Sequence, residues 1–219
     1  MMDAIVAGHV CLDIIPDLTA HAPGQFEVAF QPGRLIQSGP ATFATGGAVS
    51  NTGLALHLLG IQTCLIARVG NDQLGNILRQ NINGRGAGLG ENLVHSPESS
   101  TSYSIVINPP GRDRTFLHHS GANDDFLAQD VSEQALQEAR LFHFGYPPLM
   151  ANMYARDGEQ LVTLFQRVKS RGLTTSLDMA YPDPESAAGR ANWRVILQKV
   201  LPYVDIFVPS LNEISYMLW

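Results

Sequence analysis

Residues 46–69, GGAVSNTGLALHLLGIQTCLIARV, decide the fold because they join a helix directly to a strand. Small residues and leucines fill the first part, and Gly60 follows them as glycine often follows a helix C-terminus. The run from Ile61 to Val69 is rich in apolar and β-branched residues, which predicts a strand with both faces covered. The stretch is therefore typical of an α/β protein.

Strands and helices alternate on both sides of this stretch. The apolar run from Ala4 to Leu12 predicts a first buried strand that ends at Asp13, and Asp72 is a candidate N-cap for the next helix. Further strands are predicted at 141–145, 174–178 and 204–209, and further helices near 131–139, 159–169 and 193–201. This alternation implies right-handed crossovers and a mainly parallel sheet between two layers of helices.

Two segments interrupt the alternation. Residues 14–45 contain four prolines and little helical periodicity, so extended segments and turns are expected there. Residues 102–107 and 114–118 are rich in β-formers and flank the sequence NPPGRD, which predicts a hairpin. We expect both segments to belong to one domain over residues 1–219, as an excursion from the main sheet.

Composition excludes several classes of partner. The formal net charge is -6, with 14 Lys and Arg against 20 Asp and Glu, which argues against nucleic acid or an anionic membrane. Cys11 and Cys64 belong to no CxxC pair, so neither a zinc site nor a disulfide framework is indicated. Asp3 stands where a signal peptide would have a basic region, so we expect no signal peptide, and no apolar stretch reaches the roughly 20 residues that span a bilayer. We expect a cytoplasmic protein.

Polar residues follow the predicted strands where ligands bind in open α/β sheets. Asp13 ends the first strand, Gly46 and Gly47 precede the helix that carries Asn51, and Asn123 follows the hairpin. Glycines let backbone N–H groups approach a ligand closely, although an isolated pair more often reflects close helix packing. Acids and amides at set positions suit a polyol, because each hydroxyl both donates and accepts.

Other polar residues leave their roles open. His118 and His119 lie near two acids, but neighbours on a strand face opposite ways, which favours a structural pair over a metal site. Asp178 either contacts a ligand or caps a turn. Arg114 could reach an anionic substrate, although a solvated strand residue is the better interpretation.

Five segments together resemble the PfkB family of carbohydrate kinases. TGGAVSNTGLALHLLG (45–60) and ARVGNDQLG (67–75) resemble its first signature region, and GHVCLD (8–13) resembles its first strand. GRDRTFLHHSGAND (111–124) resembles its lid hairpin, and VDIFVPSLNEI (204–214) resembles the strand that leads into its N-x-x-E motif. The resemblance implies a three-layer ribokinase-like fold that phosphorylates a sugar hydroxyl with ATP and Mg²⁺.

The resemblance also assigns roles to residues. Asp13, Gly46, Gly47, Asn51 and Asn123 would bind the sugar. Ser210 and Glu213 would organise the nucleotide and magnesium region without binding the metal directly. Segments of about 14–45 and 97–122 would form a β-sheet lid, through which many relatives dimerise. The chain departs from the family pattern at two positions, where Cys11 and Ser210 each replace a family asparagine, so the resemblance does not specify the sugar.

The second family signature, D-T-x-G-A-G-D, does not occur in the 219 residues. Its glycine-rich turn forms an anion hole and its last Asp is the general base, so no catalytic residue is assigned in this chain. We therefore expect a truncated chain whose C-terminal part is missing and which is inactive alone. One alternative is a nucleoside kinase, which needs an apolar or aromatic slot beside Asp13 and Asn51, and another is a non-catalytic sugar-binding protein.

Overall fold

The computed structural model describes residues 2–24 and 30–219, so part of the predicted extended segment, residues 25–29, lies outside the described residues. The strands, numbered in chain order, are β1 (Ala4–Gly8), β2 (Cys11–Pro16), β3 (Ala41–Gly46), β4 (Thr63–Ile66), β5 (Arg68–Gly70), β6 (Val94–Ser96), β7 (Tyr103–Ile107), β8 (Thr115–His119), β9 (Leu141–Gly145), β10 (Thr174–Asp178) and β11 (Ile206–Val208). The helices are α1 (Ala48–Leu58), α2 (Gln73–Asn83), α3 (Glu133–Glu138), α4 (Ala151–Ser170), α5 (Trp193–Val200) and α6 (Leu211–Leu218).

The main sheet has five parallel strands in the order β11-β10-β9-β1-β4, which confirms the predicted parallel α/β sheet. After β1 the chain builds outward on one side through β4 and on the other side through β9, β10 and β11. The strand order therefore reverses between β1 and β9. In open α/β sheets a ligand crevice forms at such a reversal, beyond the carboxyl ends of the strands.

Hydrophobic side chains pack on both faces of this sheet. Because side chains alternate along a strand, Ile5 of β1 joins one buried cluster and Val6 joins the other. The first cluster also contains Phe165 of α4, and the second contains Val49 of α1 and Leu78 of α2. Helices thus cover both faces, and the fold has the three predicted layers.

A second sheet has four strands in the order β3-β2-β7-β8. Strands β7 and β8 pair antiparallel, which confirms the predicted hairpin. The prediction of one strand from Ala4 to Leu12 is wrong, because β1 ends at Gly8 and residues from Cys11 onward belong to β2. Gly8 has a φ of +123°, a conformation that glycine adopts readily, and there the chain leaves the main sheet.

Local details agree with the sequence at some helices and differ at others. Asp72 caps α2 as predicted, and its Oδ1 accepts a hydrogen bond of 2.8 Å from the Gly75 N–H. Helix α4 is interrupted at residues 155–158, so only its later part corresponds to the helix predicted at 159–169. Within the described ranges, no helix is both long and apolar enough to cross a membrane.

Candidate functional site

A cavity of about 800 Å³ lies where the main sheet meets the four-stranded sheet. His9 directly follows β1 and Tyr146 directly follows β9, so both line the cavity at the point where the strand order reverses. Their ring centroids are 6.0 Å apart. The floor of the cavity is therefore built from the carboxyl ends of two neighbouring parallel strands.

The four-stranded sheet supplies the opposite wall. Asp13 of β2, Ser104 of β7 and His118 of β8 form one row across the strands, so their side chains lie on the same face. Phe116 lies two residues before His118 and shares that face, and the Arg114 guanidinium lies 5.6 Å from the centre of its ring. The wall thus combines an acid, a histidine, an aromatic ring and a cation.

The structure brings four of the residues singled out in the sequence together, since Asp13, Gly46, Gly47 and Asn51 all line this cavity. A Cβ atom on Gly46 would lie 2.5 Å from the Asp13 carboxylate, and one on Gly47 would lie 2.5 Å from the His9 carbonyl oxygen. Gly47 also has a φ of +87°. The two glycines therefore let the start of α1 close against Asp13 and His9.

The Asp13 carboxylate is half-buried, and this burial raises its pKa. Hydrogen bonds from Cys11 and Ser104, together with the charge of Arg114, act in the opposite direction and lower the pKa. The Cys11 thiol lies 3.3 Å from Asp13 Oδ1 and donates to it. Because burial raises the pKa of Cys11 well above its ordinary value, that residue is a thiol donor rather than a thiolate.

Asn51 lies one turn into α1, and its side chain is exposed to the cavity. The Asn51 amide lies near enough to the Tyr146 hydroxyl to lower the pKa of the tyrosine, although burial dominates and raises that pKa. Tyr146 has a φ of 65°, in the left-handed region, and its N–H donates to the Asp178 carbonyl over 3.2 Å. Helix α1 and the end of β9 therefore present an amide and a phenol side by side.

Asn123 does not line the cavity. Its side chain is fully buried, where Oδ1 accepts from the Val10 N–H at 3.2 Å and Nδ2 donates to the Val10 carbonyl at 2.9 Å. Nδ2 also donates to the Ser120 carbonyl at 3.1 Å. The structure therefore uses Asn123 to hold the backbone between β1 and β2, and its neighbour Asp124 lines the cavity instead.

Ser210 and Glu213 lie apart from the cavity, at the start of α6. The Glu213 N–H donates to Ser210 Oγ at 3.2 Å, and the Ser210 N–H donates to Glu213 Oε2 at 2.6 Å, which is a capping box. Glu213 also acts at longer range on Asp178, whose pKa rises to about 6, chiefly because the carboxyl is half-buried. Asp178 Oδ1 accepts a hydrogen bond of 2.9 Å from the N–H of the next residue, Met179.

Mg²⁺ usually keeps several waters and takes one or two protein carboxylates together with substrate phosphates. Asp178 and Glu213 suit that role in chemical kind, since they are two carboxylates close enough to influence each other. Among the residues that the structure describes, no group of three or more acids, histidines or cysteines could enclose a metal ion alone.

Sequence reasoning missed His9, Tyr146 and Phe116 as cavity residues. His9 and Tyr146 each follow a glycine that ends a main-sheet strand, which is the signal that could have found them. The adjacent histidines face opposite ways, as predicted: His118 lines the cavity, whereas His119 lies 2.9 Å from Ser100 Oγ and does not line it.

Comparison with known proteins gives a family. Residues 2–218 match the family described as pfkB family carbohydrate kinase. Fructokinase-2 of Oryza sativa subsp. japonica is 22% identical over 173 residues, which cover 78% of this chain and 47% of that protein. The nucleoside kinase of Methanothermobacter thermautotrophicus is 24% identical over 141 residues, which cover 64% of this chain and 43% of that protein.

A solved structure shows the same fold. Arabidopsis thaliana ribokinase complexed with ribose and ATP superposes with a TM-score of 0.73 at 18% identity, covering 99% of this chain and 63% of that one. The chain spans about half the length of the curated relatives it matches, for example 47% of the rice protein and 43% of the archaeal one. Since the family match extends over nearly every residue, the chain belongs to the PfkB family of carbohydrate kinases.

Proposed function

We propose that this chain binds the acceptor in a kinase reaction that transfers a phosphoryl group from ATP to a sugar hydroxyl. The observation that carries the proposal is the cavity at the strand-order reversal between β1 and β9. It places the carboxylate of Asp13 and the amide of Asn51 in one space, beneath a separate small sheet. Ligands of α/β proteins bind at such reversals, and polyols need both donors and acceptors.

Each residue then has a chemical role. Asp13 accepts hydrogen bonds from sugar hydroxyls, and Asn51 both donates and accepts. Gly46 and Gly47 allow the backbone at the start of α1 to approach the sugar as closely as it approaches Asp13 and His9. Asn123 supports the site indirectly, because its amide holds Val10 in the link between β1 and β2, next to His9.

We propose that the four-stranded sheet is the lid of this site, which excludes water from the bound sugar. Its inner face lines the cavity, whereas its outer face carries the row Phe43, Ile14, Ile105 and Leu117. Phe43 and Leu117 are 47% and 53% exposed. An apolar outer face of this kind supports a homodimer formed through the two lids.

Phosphoryl transfer needs a residue that accepts the hydroxyl proton and a cradle for the phosphates. The chain contains no match to D-T-x-G-A-G-D, so we propose that these residues alone bind sugar without turnover. Mg²⁺, carried with ATP, would neutralise charge on the transferred phosphoryl group. Asp178 and Glu213 would lie near that region, and Ser210 would hold Glu213 in its capping geometry.

A nucleoside acceptor is the second candidate, and aromatic rings in the cavity wall favour it. Phe116, Tyr146, Tyr154 and Tyr181 all line the cavity, and a planar base would stack on such rings. One relative is named a nucleoside kinase, which supports the same idea. The ribose of a nucleoside would still meet Asp13 and Asn51.

The test is calorimetric binding of ribose, fructose, adenosine and uridine to the chain, followed by an ATP-consumption assay with each compound. Replacing Asp13 or Asn51 with Ala should weaken binding by about 1 to 3 kcal/mol each, the usual effect of removing a hydrogen-bonding partner. Matched controls are Asp113→Ala and Asn71→Ala, since both residues are exposed and neither lines the cavity.

The results separate the candidates. Binding of free sugars with loss in both site variants supports the sugar kinase, and binding of nucleosides alone supports the second candidate. Sugar binding without ATP consumption, in this chain and in one that carries the second signature, would indicate a sugar-binding protein. Equal affinity in the wild type and both site variants would remove the site assignment.

A further inference from the structure

A series of polar side chains connects the end of β1 to Asp13 across the four-stranded sheet. His9 Nε2 lies 3.4 Å from His118 Nε2, and His118 Nδ1 lies 3.0 Å from Ser104 Oγ. Ser104 Oγ lies 3.8 Å from Cys11 Sγ, which in turn lies 3.3 Å from Asp13 Oδ1. The series starts at His9, directly after β1 of the main sheet, and crosses from β8 through β7 to β2.

The carboxylate sets the direction of the hydrogen bonds. An ionised carboxylate only accepts, so the Cys11 thiol donates to Asp13 and its sulfur is left to accept. Ser104 lies directly opposite Asp13 in the paired strands and its Oγ lies 3.8 Å from Cys11 Sγ, so the hydroxyl donates toward the end of the series that holds the carboxylate and lowers the pKa of Asp13. The Ser104 oxygen is then free to accept from His118 Nδ1–H.

The histidines continue the same direction. A neutral imidazole carries one N–H, so a His118 that donates from Nδ1 accepts at Nε2 from His9 Nε2–H. This arrangement leaves His9 Nδ1 as a lone pair. That atom is buried and has no hydrogen-bond partner among the described residues.

The lack of a partner at His9 Nδ1 in the described part of the chain independently supports hydrogen bonds that run from His9 toward Asp13. The opposite direction would place an N–H at His9 Nδ1, and orphaned buried N–H groups are rarer in proteins than orphaned acceptors. The buried His9 at one end and the charged Asp13 at the other therefore favour the same tautomers, Nε2–H in His9 and Nδ1–H in His118.

We propose that His118 is a positioning residue for Asp13, which holds the Asp13 carboxylate ionised and oriented through Ser104 and Cys11. The inference rests on the proposed role of Asp13 as a sugar ligand. His118 does not need to touch the sugar for this role. It sets the direction in which the Ser104 hydroxyl points, and the hydroxyl acts on Asp13.

The surroundings keep the two histidines of this series, His9 and His118, neutral at pH 7. Burial is the main cause of the lowered pKa of His118; His119 on the same strand lowers it further, and Asp124 after β8 raises it. On the main-sheet side, burial and the charge of His118 lower the pKa of His9 to about 3. Arg114 is the cation that acts on Asp13 itself.

The first test needs no variant. Two-bond ¹H–¹⁵N correlation spectra of the free wild-type chain at pH 7 report which ring nitrogen of each histidine carries the proton. The proposal requires Nδ1–H in His118 and Nε2–H in His9. The opposite tautomers, or a protonated His118, would overturn it.

The second test follows the Asp13 carboxyl carbon by ¹³C NMR during a pH titration. His118→Phe should raise the pKa of Asp13, whereas His118→Asn should leave it near the wild-type value, because an asparagine amide can still donate toward Ser104. The matched control is His119→Phe, since His119 lies on the opposite face of β8. No shift in His118→Phe, or an equal shift in the control, would contradict the proposal. If His118→Phe does not fold, Ser104→Ala breaks the same series, and an unchanged Asp13 pKa there would contradict the proposal equally.

Sugar binding then separates this inference from the proposed function. With ribose or fructose as the probe, His118→Phe should weaken binding about tenfold, the effect of losing one hydrogen bond to a charged group. Both NMR measurements are made without sugar or ATP. If the pKa of Asp13 shifts as expected but Asp13→Ala leaves sugar affinity unchanged, the role of His118 is supported and the proposed sugar site is contradicted.

Discussion

Gly8 of β1 and Gly145 of β9 lie side by side in parallel register, and a Cβ atom on Gly8 would collide with the Gly145 carbonyl oxygen. That oxygen also accepts a hydrogen bond of 3.1 Å from the His9 N–H. We expect Gly8→Ala to lower the free energy of unfolding by about 3 kcal/mol, from the collision and from the φ of +123° together. Urea denaturation measures the loss.

The matched control is Gly60→Ala. Gly60 has a φ of +85°, but no described atom lies within 4 Å of the position that its Cβ would occupy. Gly60→Ala should therefore lower the free energy of unfolding by about 1 kcal/mol, from backbone strain alone. Equal losses in the two variants would show that close packing against Gly145 is not the cause.

Arg68 and Asp130 form a two-pronged ion pair, with both N–O distances at 2.7 Å. Their side chains are 17% and 5% exposed, so solvent screens the pair little. Asp130→Asn should lower the free energy of unfolding by about 3 kcal/mol, because it leaves the arginine charge without its partner. In the exposed pair Arg156–Glu159, Glu159→Gln should cost about 0.5 kcal/mol or less. If Asp130→Asn and Glu159→Gln lower the free energy of unfolding by similar amounts, burial does not explain the strength of the Arg68–Asp130 pair.

His143 makes the protein sensitive to acid. Burial lowers its pKa to about 4, whereas an unfolded histidine titrates near 6.5. The unfolded state therefore binds more protons between these values, so this contribution to stability is complete above about pH 6.5 and falls by about 3 kcal/mol as the pH drops toward 4. His143→Asn keeps a partner for Ser176, which lies 3.0 Å from Nδ1, and should reduce this pH dependence in thermal melts. An unchanged slope would exclude His143 as its source.

Asp178 changes stability with pH in the opposite direction to His143, over a similar pH range. Its pKa is raised from 3.8 to about 6, so the folded state binds the extra proton and stability falls as the pH rises between those values. Asp178→Asn should therefore stabilise the chain at pH 7.5 by about 1 kcal/mol, a figure reduced for its partial exposure, and should have little effect at pH 3.5. Asp183→Asn, at an exposed turn, serves as the control. A gain in stability at both pH values would contradict this account.

Much of the main sheet can be predicted from the sequence, because a buried parallel strand is a continuous apolar run. The segments LFHFG and TTSLD match β9 and β10 at every residue. The place of Asp13 cannot be predicted in the same way, since the apolar run continues past Gly8 into β2. The turn there depends on Gly145, a residue far along the chain.

In the candidate site, too, local groupings can be predicted from the sequence, whereas contacts between distant residues cannot. Gly46, Gly47 and Asn51 are close in sequence and share one helix start, so their grouping can be predicted locally. Asn123 resembles a ligand-binding residue in sequence, yet its amide is bound to Val10, which is 113 positions away. His9 and His118 are separated by 109 positions, and only the folded chain shows that they touch.

The hydrogen bonds between Asn123 and Val10 determine how the four-stranded sheet can move. They clamp the backbone where β1 passes into β2, and the Ser120 carbonyl at the end of β8 binds the same amide. The sheet is therefore anchored to the main sheet at this end, and its opposite end is the turn at residues 108–114. A displacement of the sheet that keeps these hydrogen bonds bends the strands rather than rotating them about the anchored end. It grows from Asp13 toward Arg114, so the groups nearest the anchored end keep their geometry while those near the turn sweep the largest distance.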